Sequence, residues 1–370
     1  MRRGSGDLRW RHHVRTASAA GRGVVAQMTR WERVEIDLLR LLAAGLAVAL
    51  PVAVGQACGD LGAGMAAAIG ALIVSSSGAG GSLRVRLVDL AASAAAGTAG
   101  TAIGLLCDRA DPARTLVPVL AAVITGLVGG VRPSAAKAAA QFMVFLIVGG
   151  SLGGAATSVA TTVGYVLLGC VFASLLTLVA YGFAHLILGP RDTATTAARS
   201  WQRDVSAWWG RVNSPVGWVY PLRLGSCLLA GEIVVHLLRG GHSYWILLTL
   251  VLVVQRDFSG GLVRTVERGV GTALGVVVAA LLLNTVPVWV MISLLGVIGA
   301  ARIHLRAANY TAYAVVMTPL IAVLSGLGHT LSTHLLRERV VDTLIGCLIA
   351  VIVGHLAWQR ADPARSRPTG

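Results

Sequence analysis

Lysine is all but missing from this chain: Lys137 is the only one, so the basic residues are otherwise arginines. Charge of any kind is scarce. Only 13% of the 370 residues are charged, against about 25% in soluble domains. Acid is scarcer than base, 16 residues against 31, which leaves a formal charge of +15. Paired cysteines are missing too. Cys58, Cys107, Cys170, Cys227 and Cys347 are scattered, mostly in apolar runs, with no Cys-x-x-Cys and no Cys/His cluster at metal spacing. That spacing speaks against a metal site and leaves packing as their use. A phosphate-binding loop needs Gly-Lys-[Ser/Thr], but Ala136 precedes the one lysine. Direct use of ATP is therefore not expected. No nucleophile triad appears, so the chain does not read as an enzyme, and no cofactor is implied. Arg2 and Arg3 are followed by no apolar run before Ile36, which argues against a cleaved signal peptide or a twin-arginine signal.

What remains is apolar. Hydrophobic residues make up 55% of the chain and the mean hydropathy is +0.75. Several long runs carry almost no charge, and about 20 apolar residues suffice to cross a bilayer. The fold class expected is an all-α polytopic membrane protein. A strongly basic balance can mark a nucleic-acid partner. Here the arginines sit in short loops and tails, where they set orientation in the membrane. Membrane lipid is the partner expected, and no nucleic acid.

Twelve apolar spans can be placed. The first six are residues 36–56, 61–77, 88–107, 115–131, 134–153 and 158–188. The second six are 221–238, 242–256, 269–286, 287–301, 308–326 and 339–358. The chain thus divides into a basic tail (1–34), a first membrane half (35–189), a polar linker (190–220), a second half (221–358) and a short tail (359–370). The first tail reads as mostly disordered and able to touch anionic lipid; Met28 is an alternative start. The linker holds Trp201, Trp208, Trp209 and Trp218 among arginines, which suits an interfacial amphipathic helix. With an even number of spans both termini share a side. Of the 31 basic residues only Arg109, Arg114, Arg239, Arg337 and Arg339 fall on the other side, and the other 26 place both termini in the cytoplasm.

The two halves look like a repeat. Gly80, Gly81 and Arg84 align with Gly260, Gly261 and Arg264 at a separation of 180, and Gly169-Cys170 aligns with Gly346-Cys347 at 177. Six spans per half make such a repeat parallel, with its axis along the membrane normal. Spans 2, 4, 8 and 10 are short, and short segments at matching places in two halves point to a binding site.

The organising stretch runs from Tyr244 to Gly275. It holds Tyr244-Trp245, Leu248-Thr249, Asp257, Arg264, Arg268, Gly271-Thr272 and Gly275. A second motif, Glu338-Arg339, Asp342-Thr343 and Gly346, lies near the C-terminus. Together they resemble the fusaric acid resistance-like family of bacterial inner-membrane proteins, which includes aromatic acid exporters. The chain departs at Leu247 and Arg256, where that family usually has proline. The resemblance covers roughly Trp31 to Trp358. It implies a multi-pass inner-membrane location and export of a small organic acid; it does not name the solute.

The candidate residues follow from charge in or near spans, which is costly and usually faces protein or water. Arg264 and Arg268 lie one turn apart, and Glu267 can pair with Arg264. Their guanidinium forks could bind a carboxylate, or they could anchor the cytoplasmic side. Asp257 is expected to join them in one recessed polar cluster. Arg339 and Asp342, three apart, read first as a local pair. Tyr244 and Trp245 read either as interfacial belt residues or as a stacking surface for an aromatic solute. Glu232 is the deepest carboxylate, with His236 one turn further on, and a protonatable carboxylate in a span is what a proton-coupled cycle needs. The Gly100/Gly104 and Gly271/Gly275 pairs let helices approach closely. Asn309 and Tyr310 suit helix-to-helix hydrogen bonds.

The leading expectation is proton-driven efflux of an aromatic or amphipathic organic acid. A non-transporting membrane scaffold or envelope-assembly component is the alternative. A major-facilitator transporter ranks last, since the loop Gly78 to Arg86 lacks that superfamily's aspartate. A homo-oligomer is compatible with every one of these features.

Overall fold

The structure is a computed structural model, and it describes residues 26–78, 82–108, 111–152, 158–189, 201–238, 244–283, 286–326 and 333–359. All regular structure among the described residues is helical. The first six long helices are α1 (Leu38–Cys58), α2 (Leu61–Ser75), α3 (Leu83–Cys107), α4 (Asp111–Val128), α5 (Pro133–Leu152) and α6 (Val159–Leu188). A short amphipathic helix, α7 (Trp201–Val212), follows. Then come α8 (Pro215–Leu238), α9 (Tyr244–Val253), α10 (Phe258–Leu283), α11 (Val288–Ala308), α12 (Tyr310–Gly326) and α13 (Thr333–Ile349). The last runs on as a π-helical segment, Ala350–Leu356. Seven of these stretches are long and apolar enough to cross a membrane, and four shorter apolar helices accompany them. The chain is an all-helical, multi-pass membrane protein.

The ends of these helices have local causes. Asp37 and Asp60 accept from the backbone N–H groups of Arg40 and Ala63, which caps α1 and α2. Gly59, at φ 78°, closes α1 in the left-handed region that favours glycine. Asp257 accepts from the Gly260 N–H at 2.6 Å and caps α10. Polar caps therefore stand at the turns, where the apolar runs break.

Helix approach depends on glycine, and the spacings read in the sequence mark two such places. A Cβ on Gly100 would stand 2.5 Å from the Phe142 carbonyl oxygen, so α3 lies almost backbone to backbone on α5. A Cβ on Gly275 would stand 2.5 Å from the Val315 oxygen, which sets α10 on α12 in the same way. Other packings also come in twos. α2 lies on α6 as α9 lies on α13, and α1 lies on α11 as α8 lies on α4. Gly169 packs on Ala67 of α2, and Gly346 packs on Ile246 and Thr249 of α9. Gly80 and Gly81, the other pair aligned from the sequence, lie outside the described residues.

Hydrogen bonds gather many helix ends at one side, here the near end. The Glu32 N–H donates to the Ala308 oxygen, and the Asn309 amide donates to the Met28 and Arg30 oxygens. Lys137 holds Asp89 at 2.8 Å, joining the starts of α5 and α3. Trp208 of α7 donates to the Leu127 oxygen, and Arg256 donates to the Gly126 oxygen at the end of α4. The linker helix is thus docked on α4.

Several boundaries differ from those read in the sequence. Span 10 is not short: α11 has 21 residues, because Arg302 and Arg306 continue the helix rather than end it. α8 begins at Pro215, six residues early, since proline suits a first helical turn. α9 is shorter than expected, with 10 residues. At 1.5 Å per residue it rises about 15 Å, half of a ~30 Å hydrocarbon core. Its start therefore stands inside the protein. The parts of the two tails at residues 1–25 and 360–370 lie outside the described residues.

Candidate functional site

The site is built where α9 stops short. Because α9 ends beside Arg256 at the near end, its first turn stands roughly at mid-depth. Trp245 is in that turn and is only 3% exposed, which takes it out of any lipid-facing belt. The Tyr244 ring lies 4.3 Å from it, centroid to centroid. Arg339 comes down from α13 and lays its guanidinium over the Trp245 ring, 3.5 Å from the centroid. This is cation–π geometry, and in a desolvated site it is worth about 2 kcal/mol.

Arg339 is 2% exposed, and its Nε and Nη1 donate to nothing. The indole Nε1 of Trp245 is also without a partner. Asp342 is 7% exposed and acts on Arg339 electrostatically, but the two make no ion pair. The sequence pointed to a local pair there; the guanidinium turns onto the indole instead. Arg268 is the next charge along. It is 2% exposed, acts on Arg339, and leaves its own Nε unpartnered. One turn below, Arg264 covers the Tyr310 ring at 3.4 Å and meets the Glu267 carboxylate at 4.0 Å. Thr272, one turn above Arg268, has a buried hydroxyl without a partner. Three guanidiniums and three aromatic rings thus line one seam between α9, α10, α12 and α13. The seam offers unspent donors beside flat apolar faces. A carboxylate attached to an aromatic ring needs that combination.

The remaining predicted residues lie elsewhere. Asp257 does not join Arg264 and Arg268. It caps α10 and borders a separate recess at the near end, with roughly 270 Å³ of empty space open to one side. Arg223, Gln255, Phe258, Thr265 and His355 line that recess, and Arg223 stacks on Phe258 at 4.1 Å. Asp257 precedes the helix by one residue, so its carboxylate turns back to the first N–H groups rather than along α10. Glu232 is 5% exposed on α8, and Arg114 at the head of α4 is the charge that acts on it. His236 is exposed, so the one-turn spacing does not place its imidazole and the Glu232 carboxylate in one environment. Asn309 holds residues 28–30 and caps α12 through the Ala312 N–H. Sequence reasoning gave Tyr310 to helix-to-helix hydrogen bonds rather than to the ring beneath Arg264, and it missed the buried Arg302, which donates to Ser75. The pair Arg302/Arg306 at one-turn spacing was a signal that could have found it.

Comparison with known proteins bears on the same stretch. Residues 229–353 match the family model described as fusaric acid resistance protein-like. The chain is 30% identical over 152 residues to the uncharacterized protein slr1298 of Synechocystis, covering 39% of this chain and 20% of that one. It is 30% identical over 137 residues to the uncharacterized protein YhfK of Escherichia coli, covering 37% and 19%. It is 29% identical over 143 residues to the inner membrane protein YccS of Escherichia coli, covering 38% and 19%. The matched stretch thus spans about one fifth of the length of each relative. No solved structure matches the chain. The stretch from 229 to 353, which holds Arg264, Arg268, Trp245 and Arg339, belongs to the fusaric acid resistance protein-like family.

Proposed function

We propose that this protein is a secondary exporter of aromatic or amphipathic organic acids in the bacterial inner membrane, driven by the proton gradient. The observation that carries the reading is the Arg339 guanidinium, buried on Trp245 with two of its nitrogens, Nε and Nη1, unspent as donors and no ion-paired carboxylate among the described residues. A buried charge without a partner is costly. A carboxylate solute entering the seam relieves that cost, and its ring finds Trp245 and Tyr310 as stacking faces. Arg268 and Arg264 then offer the next positions along α10 toward the near end. The inner-membrane placement draws on the relative YccS, whose printed name places it there.

The architecture proposed with it is two parallel six-helix halves with both termini cytoplasmic. The twinned packings of α3 on α5 with α10 on α12, and of α2 on α6 with α9 on α13, support a repeat. The near end, rich in arginine, is the cytoplasmic side on the positive-inside rule. Coupling falls to Glu232, a buried carboxylate on α8 on which the charge of the exposed Arg114 acts. Protonation and release there alternate with solute binding at Arg339.

Proteoliposomes with an imposed pH gradient and a panel of aromatic carboxylates test the reading. Wild type should move at least one of them outward, and Arg339→Gln should abolish that movement while inserting normally. Glu232→Gln should bind solute but lose the response to the gradient. A wild-type protein that moves none of the panel, in either direction, sinks the exporter reading.

A further inference from the structure

A second arginine site lies at the near end, away from Trp245, where α1, α2 and α11 meet. Arg302 on α11 is 4% exposed. It donates to the Ser75 hydroxyl, a neutral group that itself donates to the Ala71 oxygen. Its Nε has no partner, and among the described residues no carboxylate lies within ion-pair distance. The groups whose charges act on it are Tyr313, Arg306 and Arg40. Arg306 is one turn further along α11 and exposed; Arg40 is half-buried in the first turn of α1 and has its own Nε unpartnered. The acids nearby are already engaged. Asp37 caps α1 through the Arg40 N–H, and Asp89 takes Lys137 and the Gly78 N–H. The last carbonyls of α11 are engaged as well, since Ala308 and Leu305 accept from Glu32 and Asn309. Asp37 and Asp89 still act on Arg40, where Arg86 opposes them, but among the described residues no carboxylate acts on Arg302, whose charged neighbours Arg306 and Arg40 are both like charges.

Depth limits the missing anion. Arg302 lies six residues, about 9 Å, from the end of α11, and Arg306 lies about 3 Å from it. Polar headgroups occupy roughly the outer 5–7 Å on each face of a bilayer. Arginines just below that layer reach up to it along their apolar stems. Guanidinium forks match phosphate oxygens in pairs. We propose that Arg302, Arg306 and Arg40 form a binding site for a phosphate group at the seam between α1 and α11. An anionic phospholipid headgroup and free phosphate share this chemistry. Bound there, the phosphate bridges helices 38–58 and 288–308 and fixes their packing at the cytoplasmic end.

The test uses the full chain in nanodiscs of phosphatidylcholine, alone or with phosphatidylglycerol, and reads bound lipid by native mass spectrometry. Wild type should retain phosphatidylglycerol in preference to phosphatidylcholine. Arg302→Gln should weaken retention roughly tenfold, as loss of one charge-assisted contact implies. Because a buried change can unfold the chain, Arg306→Gln, at an exposed position, is measured beside it and should weaken retention in the same direction. Arg203→Gln on exposed α7 is the surface control and should change nothing. Inorganic phosphate added to phosphatidylcholine discs separates the sources: displacement of lipid or stabilisation at millimolar concentration assigns free phosphate, and no effect assigns the headgroup. Equal losses in Arg203→Gln and Arg306→Gln, or no preference by wild type for either phosphate source, would overturn the site.

Discussion

Arg339 is legible in the sequence as a charge at the start of a span, but its role is not. The spacing to Asp342 invited a local ion pair, and the contact that forms is with a ring nearly a hundred residues away. Only α9's short length brings Trp245 to mid-depth, and no residue in the apolar run from Ile246 to Val254 announces where the helix starts to matter. The same holds for Tyr310, which reads as an ordinary helix-opening residue until Arg264 covers it at 3.4 Å. At this scale a sharp prediction follows from geometry. Arg339→Lys keeps the charge but loses the planar fork that lies on the indole. It should lower affinity for an aromatic carboxylate by about 1–2 kcal/mol, roughly five- to thirtyfold. Trp245→Phe keeps a ring and should lose less than Trp245→Leu. Equilibrium binding of a radiolabelled solute in detergent ranks the three; equal affinity for Phe and Leu variants at 245 removes stacking from the site.

Elements were the most legible scale. The apolar runs read from the sequence fall on helices, seven of them long and apolar enough to cross a membrane and four shorter, and the four-residue glycine spacings fall at two close helix pairs, α3 with α5 and α10 with α12. Charge misled at the boundaries. Arg302 and Arg306 look like the end of a span, yet they lie inside α11 and support its last turns. Proline misled at Pro215 and Pro221, which both sit within α8. The glycine contacts are strict enough to test. A side chain at Gly275 must push α12 away, so Gly275→Leu should destabilise by about 1–3 kcal/mol. Gly150, facing open space beyond 3.7 Å from the Gly104 oxygen, should accept alanine with little change. Melting of the two variants in the same detergent checks the contrast, and equal melting temperatures would show that α10 and α12 are not in close contact. Asp257→Ala removes the α10 cap and should cost about 1 kcal/mol in the same measurement.

Across the whole molecule the two halves share packing but not charge. Every buried charged residue among the described residues lies beyond the linker: Arg223, Glu232, Glu267, Arg268, Arg302, Arg339 and Asp342. Before the linker the buried polar residues are Ser75, Ser77, Ser93 and Thr101, all neutral. The sequence carried a trace of this, since Thr162 and Tyr165 stand where the alignment at 177 would place Arg339 and Asp342. Burying a charge in a membrane protein is expensive and is kept where it has a use. A half that keeps none is suited to holding its partner in place. One of its ion pairs, Lys137 with Asp89, is partly exposed at the near end and ties α5 to α3. The division predicts opposite outcomes in one assay. Replacing that pair together, Lys137→Gln with Asp89→Asn, should leave solute export per inserted molecule within about twofold, since an exposed pair contributes at most ~1 kcal/mol. Arg268→Gln in the second half should reduce export at least tenfold at equal insertion, because its charge is buried beside Arg339. Both are measured in the same proteoliposomes, with insertion quantified by protease protection. Loss of export in the first-half variant at normal insertion would place part of the solute route among α3, α5 and their neighbours, and the two halves would have to be treated as equal partners in transport.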